Sequence, residues 1–229
     1  MTDDSKAIDE VAKTSGKAID AGRELGSFIS KYVGGPLDQA MGIVEDKLKY
    51  LRWERQIRLM ERANKFLSER GLQQPTRKVP MQIAIPIMQG GSLEEDDSLQ
   101  DRWAALLVNV ADESSGSEVR RAFISILEDL SPLDAIVLEK IYDISAVPRD
   151  KNEVWTTSLP EQALGTKPEA EDLRPSAPVE LSLGNLARLG LISSAMAWGG
   201  IAMLSRVHRT VLGYEFLKAI KHSSKSCDQ

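Results

Sequence analysis

The residues best suited to metal chemistry are four adjacent acids, Glu94–Asp97, and two histidines, His208 and His222. Carboxylates and imidazoles are common metal ligands in proteins. The histidines, however, are not part of a Cys-x-x-Cys or His-Glu-x-x-His pattern, so no zinc site is indicated. Adjacent acids at the start of a helix more often interact with the positive end of the helix dipole. We therefore predict no metal site and no cofactor.

Motifs for catalysis are also missing from the sequence. The chain has no phosphate-binding loop of the form GxxxxGK[ST] and no serine in a G-x-S-x-G turn. The glycine pairs Gly90-Gly91 and Gly199-Gly200 are predicted to form turns. We expect no catalytic residues and no small-molecule substrate, and we predict that the protein is not an enzyme.

Charge is unevenly distributed along the chain. Residues 92–175 carry 19 acidic and 8 basic side chains, whereas residues 176–229 carry 6 basic and 3 acidic ones. Two solvated surfaces of different composition would explain this difference. Alternatively, the basic end contacts an acidic partner or a phosphate backbone. The candidate residues for an acidic partner are Asn185, Arg188, Arg206 and Arg209.

Three consecutive helices are predicted between residues 92 and 145. Ser92 followed by Glu95 is a capping-box pattern that would start the first helix. Trp103 shares a face of that helix with other apolar residues and is predicted to be a core anchor. The third helix begins at Ser131-Pro132, with serine at the N-cap and proline at the first helical position. The apolar residues that define the first two helices are Leu99, Leu106, Leu107, Val110, Val119, Phe123, Ile126, Leu127 and Leu130.

This part of the chain resembles the abortive infection alpha family of bacterial proteins. The residues that carry the resemblance are the acids 94–97, Leu99, Trp103, Leu106, Leu107, Phe123, Ile126, Leu127, the junction 130–134, and the segments 186–192 and 210–217. The resemblance covers roughly residues 40–220. It implies a role in antiviral defence, but no agreed set of catalytic residues. Because most of the matching residues are apolar, it specifies a fold rather than a mechanism.

The first region, residues 1–35, is predicted to be an amphipathic helix that is rich in small residues. Gly22 and Gly26 lie one turn apart on its apolar seam. Glycine lowers helix stability, so glycines on a seam suggest that another backbone comes close there. We expect this helix to pack on its own chain or on a second copy. Contact with a membrane surface is a less favoured alternative, because the charges of the helix are mixed.

The second region, residues 36–130, is predicted to be a helical bundle. A long helix runs from about residue 37 to residue 69 and ends near Gly71. Its arginines and aromatics could contact a nucleic acid strand, but its acids favour a solvated helix with ion pairs such as Glu54–Arg58. A short helix over residues 81–88 is predicted to follow Pro80.

The third region, residues 131–222, resembles a winged helix with a proline-rich insertion at residues 148–178, followed by a tail at residues 223–229. Strands are expected at residues 154–157, 191–192 and 202–205, and a helix at residues 181–189. A last helix begins after Thr210 and is predicted to turn Val211, Tyr214, Leu217 and Ala219 inward. In a DNA-binding module the helix at residues 181–189 would enter the major groove. Its only long polar residues are Asn185 and Arg188, which disfavours base readout.

Helical periodicity over most of the chain predicts a mainly helical protein, and the composition predicts a cytoplasmic one. The single cysteine, Cys227, excludes a disulfide framework, which fits a reducing compartment. The acids among the first thirty residues do not fit a secretory signal, and no uncharged apolar run reaches about 18 residues.

Two functions follow from these patterns. The first is a non-enzymatic antiviral defence protein that acts through protein–protein interaction or as a helical effector. The alternative is a DNA-binding winged-helix transcriptional regulator. Nucleic acid is the less favoured partner.

Overall fold

The computed structural model describes residues 26–33, 53–116, 120–148, 152–169, 173–196 and 202–222. These residues are mainly helical, with one small antiparallel sheet, as the sequence predicts. The helices are α1 (Trp53–Glu69), α2 (Met81–Leu93), α3 (Asp97–Ala111), α4 (Arg121–Glu128), α5 (Pro132–Ile141), α6 (Ala177–Arg188) and α7 (Val211–Ile220). The strands β1 (Glu153–Trp155), β2 (Ile192–Met196) and β3 (Ala202–Arg209) form the sheet in the order β1-β3-β2.

Helix α3 is the centre of the molecule. Every residue from Trp103 to Ala111 is buried, so this part of the helix has no solvent face. Helices α1, α2, α5 and α7 pack around it. A helix that is apolar on all sides is stable only when neighbours surround it. Trp103 is 1% exposed, which confirms the prediction that it anchors the core.

The start of α3 differs from the prediction. Ser92 does not cap it but lies inside α2, where its hydroxyl donates to the Met88 carbonyl over 2.6 Å. The N-cap is Asp96, whose carboxylate accepts the backbone N–H groups of Ser98 and Leu99 over 2.9 and 3.0 Å. An aspartate adjacent to the helix satisfies two free donors directly, so it displaces the more distant serine.

The predicted turn at Gly90-Gly91 is also wrong. Both glycines lie within α2, which extends to Leu93. A Cβ atom on Gly91 would lie 2.9 Å from side-chain atoms of Leu59 and Trp103, and one on Gly90 would overlap the Trp103 ring. Here glycine does not end the helix, because its missing side chain lets α2 approach α1 and α3 closely.

Helix α1 ends as predicted, with Gly71 in the left-handed conformation at φ 73°. Its predicted start, near residue 37, lies outside the described residues. The structure replaces the predicted ion pair within the helix by pairs between helices. Arg55 pairs with Glu95 at 2.6 Å. Asp97 pairs with Arg62 at 2.9 Å and also with Arg58. These residues tie the basic face of α1 to the start of α3.

The start of α5 is formed by the predicted residues. The Ser131 hydroxyl accepts from the Asp134 backbone N–H over 3.2 Å, and the Asp134 carboxylate accepts from the Ser131 N–H over 2.8 Å. Pro132 occupies the first turn, where its missing N–H has no consequence. Each partner satisfies a backbone donor of the other, so the boundary of α5 is set locally.

The sheet lies in the C-terminal part of the chain. Val154 of β1 and Ser194 of β2 both pair with Val207 of β3, and the β2–β3 register shifts after Ser194. Part of the proline-rich insertion folds back on β1, because Trp155 and Leu164 exchange backbone hydrogen bonds of 2.8 and 3.1 Å. The predicted turn at residues 199–200 lies outside the described residues. The winged-helix interpretation of this region stays a prediction.

Residues 26–33 pack on the rest of the chain. Phe28, Ile29 and Tyr32 are buried, and the Val79 N–H donates to the Tyr32 carbonyl over 2.7 Å. This agrees with the expectation that the N-terminal helix packs on its own chain. Gly26 is half-buried, and Gly22 lies outside the described residues. Close backbone approach at these two glycines therefore stays a prediction.

A buried polar network joins the end of α1, the end of α3 and the end of α7. Arg70 contacts Asp112 at 3.2 Å and donates to the Asn109 side-chain oxygen over 2.5 Å. The Asn109 amide donates in turn to the carbonyls of Ala219 and Lys221 over 2.6 and 3.1 Å. Burial raises the pKa of Asp112, but hydrogen bonds from Ser114 and Arg70 outweigh it and hold the pKa below its usual value.

One hydrophobic core contains residues of all three predicted regions, from Phe28 to Ile220. The boundaries at residues 35 and 130 therefore do not separate independent cores among the described residues. No helix in this part of the chain is long and apolar enough to cross a membrane.

Candidate partner-binding cleft

The residues first considered for metal chemistry have structural contacts instead. Within the acidic run, Asp96 caps α3, and Glu95 and Asp97 pair with arginines of α1. His222 stacks on the Phe66 ring, with ring centroids 4.1 Å apart, and contacts Glu69 at 2.6 Å. Among the described residues, no group of three or more histidines, cysteines or acids lies together in a way that could hold a metal ion.

The strongest candidate site is built around the start of α7. Thr210 caps this helix, because its hydroxyl accepts from the Gly213 N–H over 3.0 Å. The same hydroxyl donates to the Gly190 carbonyl over 2.8 Å. The cap therefore fixes both the start of α7 and its position against the turn after α6.

Tyr142, at the end of α5, fixes the rotation of α7. Its hydroxyl donates to the Leu191 carbonyl over 2.6 Å and accepts from the Thr210 N–H over 2.8 Å. Burial raises the pKa of Tyr142, so the hydroxyl stays protonated at neutral pH. Gly213 lies against this hydroxyl, and a Cβ atom there would overlap both it and the Leu191 carbonyl.

This arrangement corrects the predicted orientation of α7. Gly213 faces Tyr142, so Val211 and Tyr214 turn outward, where they are 82% and 39% exposed. Leu217 and Ala219 are buried, as predicted. The buried face is completed by Phe216 and Ile220.

The outward residues line a cleft between α5 and α7. Tyr142, Ile144 and Tyr214 are shared by two adjacent cavities of about 510 and 370 Å³. Ile144 is 53% exposed, and with Val211 and Tyr214 it gives the cleft an apolar floor. We call this site, lined by residues 139, 140, 142–144, 152, 209–211, 214, 217, 218 and 221, the α5–α7 cleft.

The rim of the α5–α7 cleft is positively charged. Its three lysines outnumber its two acids, of which Glu139 pairs with Arg102 at 2.7 Å and Asp143 accepts hydrogen bonds from Ser145. The Ser145 hydrogen bonds are the main reason why the pKa of Asp143 lies below its usual value. Lys218 donates to the neutral Gly116 carbonyl over 2.6 Å, and neither Lys218 nor Lys221 forms an ion pair with a described carboxylate. Lys140 is the third rim lysine.

The structure does not gather the four predicted polar residues into one site. Asn185 donates to the Asp129 carbonyl and the Asp134 carboxylate over 2.9 and 3.0 Å. Arg188 pairs with Asp129 at 3.0 Å. Both residues therefore brace α6 against the junction between α4 and α5.

Arg206 and Arg209 are engaged elsewhere. Arg206 pairs with Glu153 at 3.0 Å, and its guanidinium lies 5.7 Å from the centre of the Trp155 ring. Arg209 donates to the carbonyls of Ile141 and Val147 over 2.7 and 2.8 Å. Burial lowers the pKa of Arg209, but a guanidinium remains charged in proteins. Arg209 also lines the second cavity, so it is the one predicted residue at the cleft.

Only part of the signal for the cleft residues lies in the sequence. Once Thr210 is read as the cap, the apolar stripe of Gly213, Phe216, Leu217 and Ile220 follows the spacing of a buried helical face. The same spacing leaves Val211, Tyr214, Lys218 and Lys221 on the other side. The sequence does not show that Gly213 packs inward, and this contact decides which side of α7 is buried.

A family model described as abortive infection alpha matches residues 54–220. The chain belongs to the abortive infection alpha family. The matched range covers helices α1 to α7, apart from the first residue of α1, and the three strands β1 to β3. No curated protein and no solved structure matches the chain.

Family membership confirms the resemblance read from residues 40–220, and it suggests a role in abortive-infection defence. Apart from Lys221, the residues that line the α5–α7 cleft lie within the matched range.

Proposed function

We propose that this abortive infection alpha protein acts in antiviral defence by binding a partner protein in the α5–α7 cleft, without catalysis. The observation that carries the proposal is an exposed apolar floor beside lysines that have no carboxylate partner among the described residues. Apolar patches with polar rims are typical of protein interaction sites. The partner segment that fits is an amphipathic helix or strand with apolar side chains and flanking acids.

The positive charge of the rim makes the cleft selective for a partner segment with acidic residues. Lys218 and Lys221 lie one turn apart on the outward side of α7, next to Tyr214. An acidic residue of a partner segment could pair with these lysines at the edge of the cleft, while the apolar residues of the segment cover Val211. Exposed charge pairs mainly increase association rates and are screened by salt. We therefore expect partner binding to weaken as ionic strength rises.

The test is phage plating on a bacterial host that the chain protects. Val211→Asp should abolish protection, because it places a charge on the apolar floor and repels an acidic partner. The substitution should not unfold the protein, since Val211 is exposed and acids are favourable in the first turn of a helix. Lys218→Glu with Lys221→Glu should have the same effect.

Matched controls separate the cleft from general surface effects. Leu93→Asp changes another exposed apolar residue, and Lys167→Glu reverses another exposed lysine. Both control variants should protect like the wild type. If the cleft variants are folded and still protect fully, the proposed site is wrong.

The alternative is the DNA-binding regulator, which is supported by the combination of α5, α6 and a three-stranded sheet in the third region. Using α6 for base readout would require Asn185 and Arg188 to leave their contacts with Asp129 and Asp134. Duplex binding that weakens steeply with salt, and that is lost in Arg188→Ala, would favour this function over the cleft.

A further inference from the structure

Along the outer face of α6, only Arg188 has a side-chain partner in the described chain. Ala177, Leu181, Gly184 and Arg188 follow one another at steps of four, three and four residues, so they share one face of the helix. The opposite face, with Val179, Leu183 and Leu186, is buried. Leu181 is 78% exposed in the middle of the helix. A Cβ atom on Gly184 would contact nothing within 4 Å.

This face carries a protrusion and a matching recess one turn apart. Leu181 projects from the surface, and Gly184 leaves an open space beside it. With Glu180 and Asn185 they line a shallow groove of about 500 Å³. Two copies of such a face fit each other when the helices run antiparallel, because each leucine then meets the glycine of the other copy. A surface that complements itself in this way forms a two-fold symmetric interface.

We propose that the α6 outer face binds the same face of a second copy of this chain, with Leu181 seated over the partner's Gly184. In this register Arg188 lies opposite the partner's Ala177 and within one helical turn of the partner's Glu180. The two-fold axis repeats each contact, so the interface gains two Glu–Arg pairs. This charge complementarity favours a second copy over an unrelated protein.

The ion pair between Arg188 and Asp129 does not prevent Arg188 from pairing with Glu180 of the second copy. The Arg188–Asp129 pair is exposed, with side chains 60% and 50% accessible. Exposed ion pairs contribute little to stability, so the Arg188 guanidinium can turn to the partner's Glu180 from Asp129 and from the Asn185 side-chain oxygen, to which it donates over 2.8 Å. Glu180 is exposed and lies in the first turn of α6.

The proposed interface leaves the α5–α7 cleft open, because the groove and the cleft share no lining residue. A dimer would therefore present two clefts. Two linked sites bind a repetitive partner, such as an assembled viral protein, more tightly than either site alone. The dimer does not depend on the identity of the cleft partner.

The test is the molar mass of the full chain, measured by sedimentation over a range of concentrations. The wild type should dimerise, and Leu181→Glu should raise the dissociation constant about tenfold or more, since it removes the central contact. Leu93→Glu, at another exposed leucine, should have no effect. Melting temperatures establish that each variant is folded.

A charge exchange tests the register directly. Glu180→Arg and Arg188→Glu should each weaken self-association, because each homodimer would then contain two like-charged pairs. Mixing the two variants should restore association as a heterodimer, since every pair is then complementary. A loss of folding would not be rescued by mixing. A monomeric wild type, an unchanged Leu181→Glu dimer, or mixed variants that remain monomeric would each overturn the proposal.

Discussion

At the scale of single residues, the hydroxyl groups of two buried tyrosines contribute differently to the stability of the fold. Tyr142 satisfies a carbonyl and an N–H at the junction of α5, β2 and α7. Tyr32 is 0% exposed, and its hydroxyl has no hydrogen-bond partner among the described residues. Burial raises the pKa of Tyr32, so its hydroxyl is not ionised at neutral pH.

Replacing each tyrosine by phenylalanine should therefore have opposite effects. Tyr142→Phe leaves the Thr210 N–H without its acceptor and removes one of the two donors to the Leu191 carbonyl, which should lower the free energy of unfolding by about 1–3 kcal/mol. Tyr32→Phe removes an unsatisfied hydroxyl and should leave stability unchanged or raise it. Urea unfolding of the two variants measures both effects. Equal destabilisation by the two substitutions would contradict the assigned hydrogen bonding.

At the scale of the element, two glycines within helices have opposite surroundings. Gly213 of α7 touches the Tyr142 hydroxyl and the Leu191 carbonyl, whereas Gly184 of α6 faces open space. Glycine lowers the stability of a helix interior by about 1 kcal/mol relative to alanine. Replacement by alanine should therefore have opposite effects on stability at Gly213, where close packing requires glycine, and at Gly184, where it does not.

Gly184→Ala should raise the free energy of unfolding by about 1 kcal/mol, because it gains helix propensity without a clash. Gly213→Ala should lower it by about 1–3 kcal/mol, as overpacking does, despite the same gain in propensity. Both values should be measured at protein concentrations low enough for a monomer. A stabilising Gly213→Ala would show that α7 is not held against Tyr142.

The helices that the sequence predicted well are those with local boundaries. Ser131-Pro132 and Thr210 begin helices through contacts within a few residues, and Gly71 ends one in the same way. Gly90-Gly91 misled the prediction because the reason for these glycines is the distant Trp103 ring. The cleft was missed for a similar reason, since Tyr142 turns Val211 outward from 69 residues away. Contacts of this kind are not encoded in a periodic pattern.

For the whole molecule, several aspartates tie stability to pH. The pKa of Asp96 is lowered by hydrogen bonds from Ser98 and Leu99, and those of Asp112 and Asp143 also lie below the usual 3.8. When the chain unfolds, these groups regain their usual proton affinity, so the unfolded state binds more protons in acid. Their stabilising contribution is complete above pH 3.8 and is lost as the pH falls through the folded-state values.

We therefore expect the urea midpoint to fall steadily as the pH drops below 3.8. Asp112→Asn should make this decline shallower, because it removes one of the responsible carboxylates and leaves the others. The same variant should be less stable than the wild type at neutral pH, since it weakens the buried contact with Arg70. A wild type and a variant with parallel pH profiles would exclude Asp112 as a contributor.

The hydrogen bonds from Asn109 to Ala219 and Lys221 also bear on how the protein is made. Helix α3 is synthesised midway along the chain, yet the helix that covers one of its sides, α7, comes more than 90 residues later. During translation, the side of α3 that α7 covers therefore stays exposed, or bound by a chaperone, until residue 221 has left the ribosome. The α5–α7 cleft forms in the same final step. A ribosome stalled before α7 would carry a chain without its binding site, so the protein becomes competent only when its synthesis has passed this point.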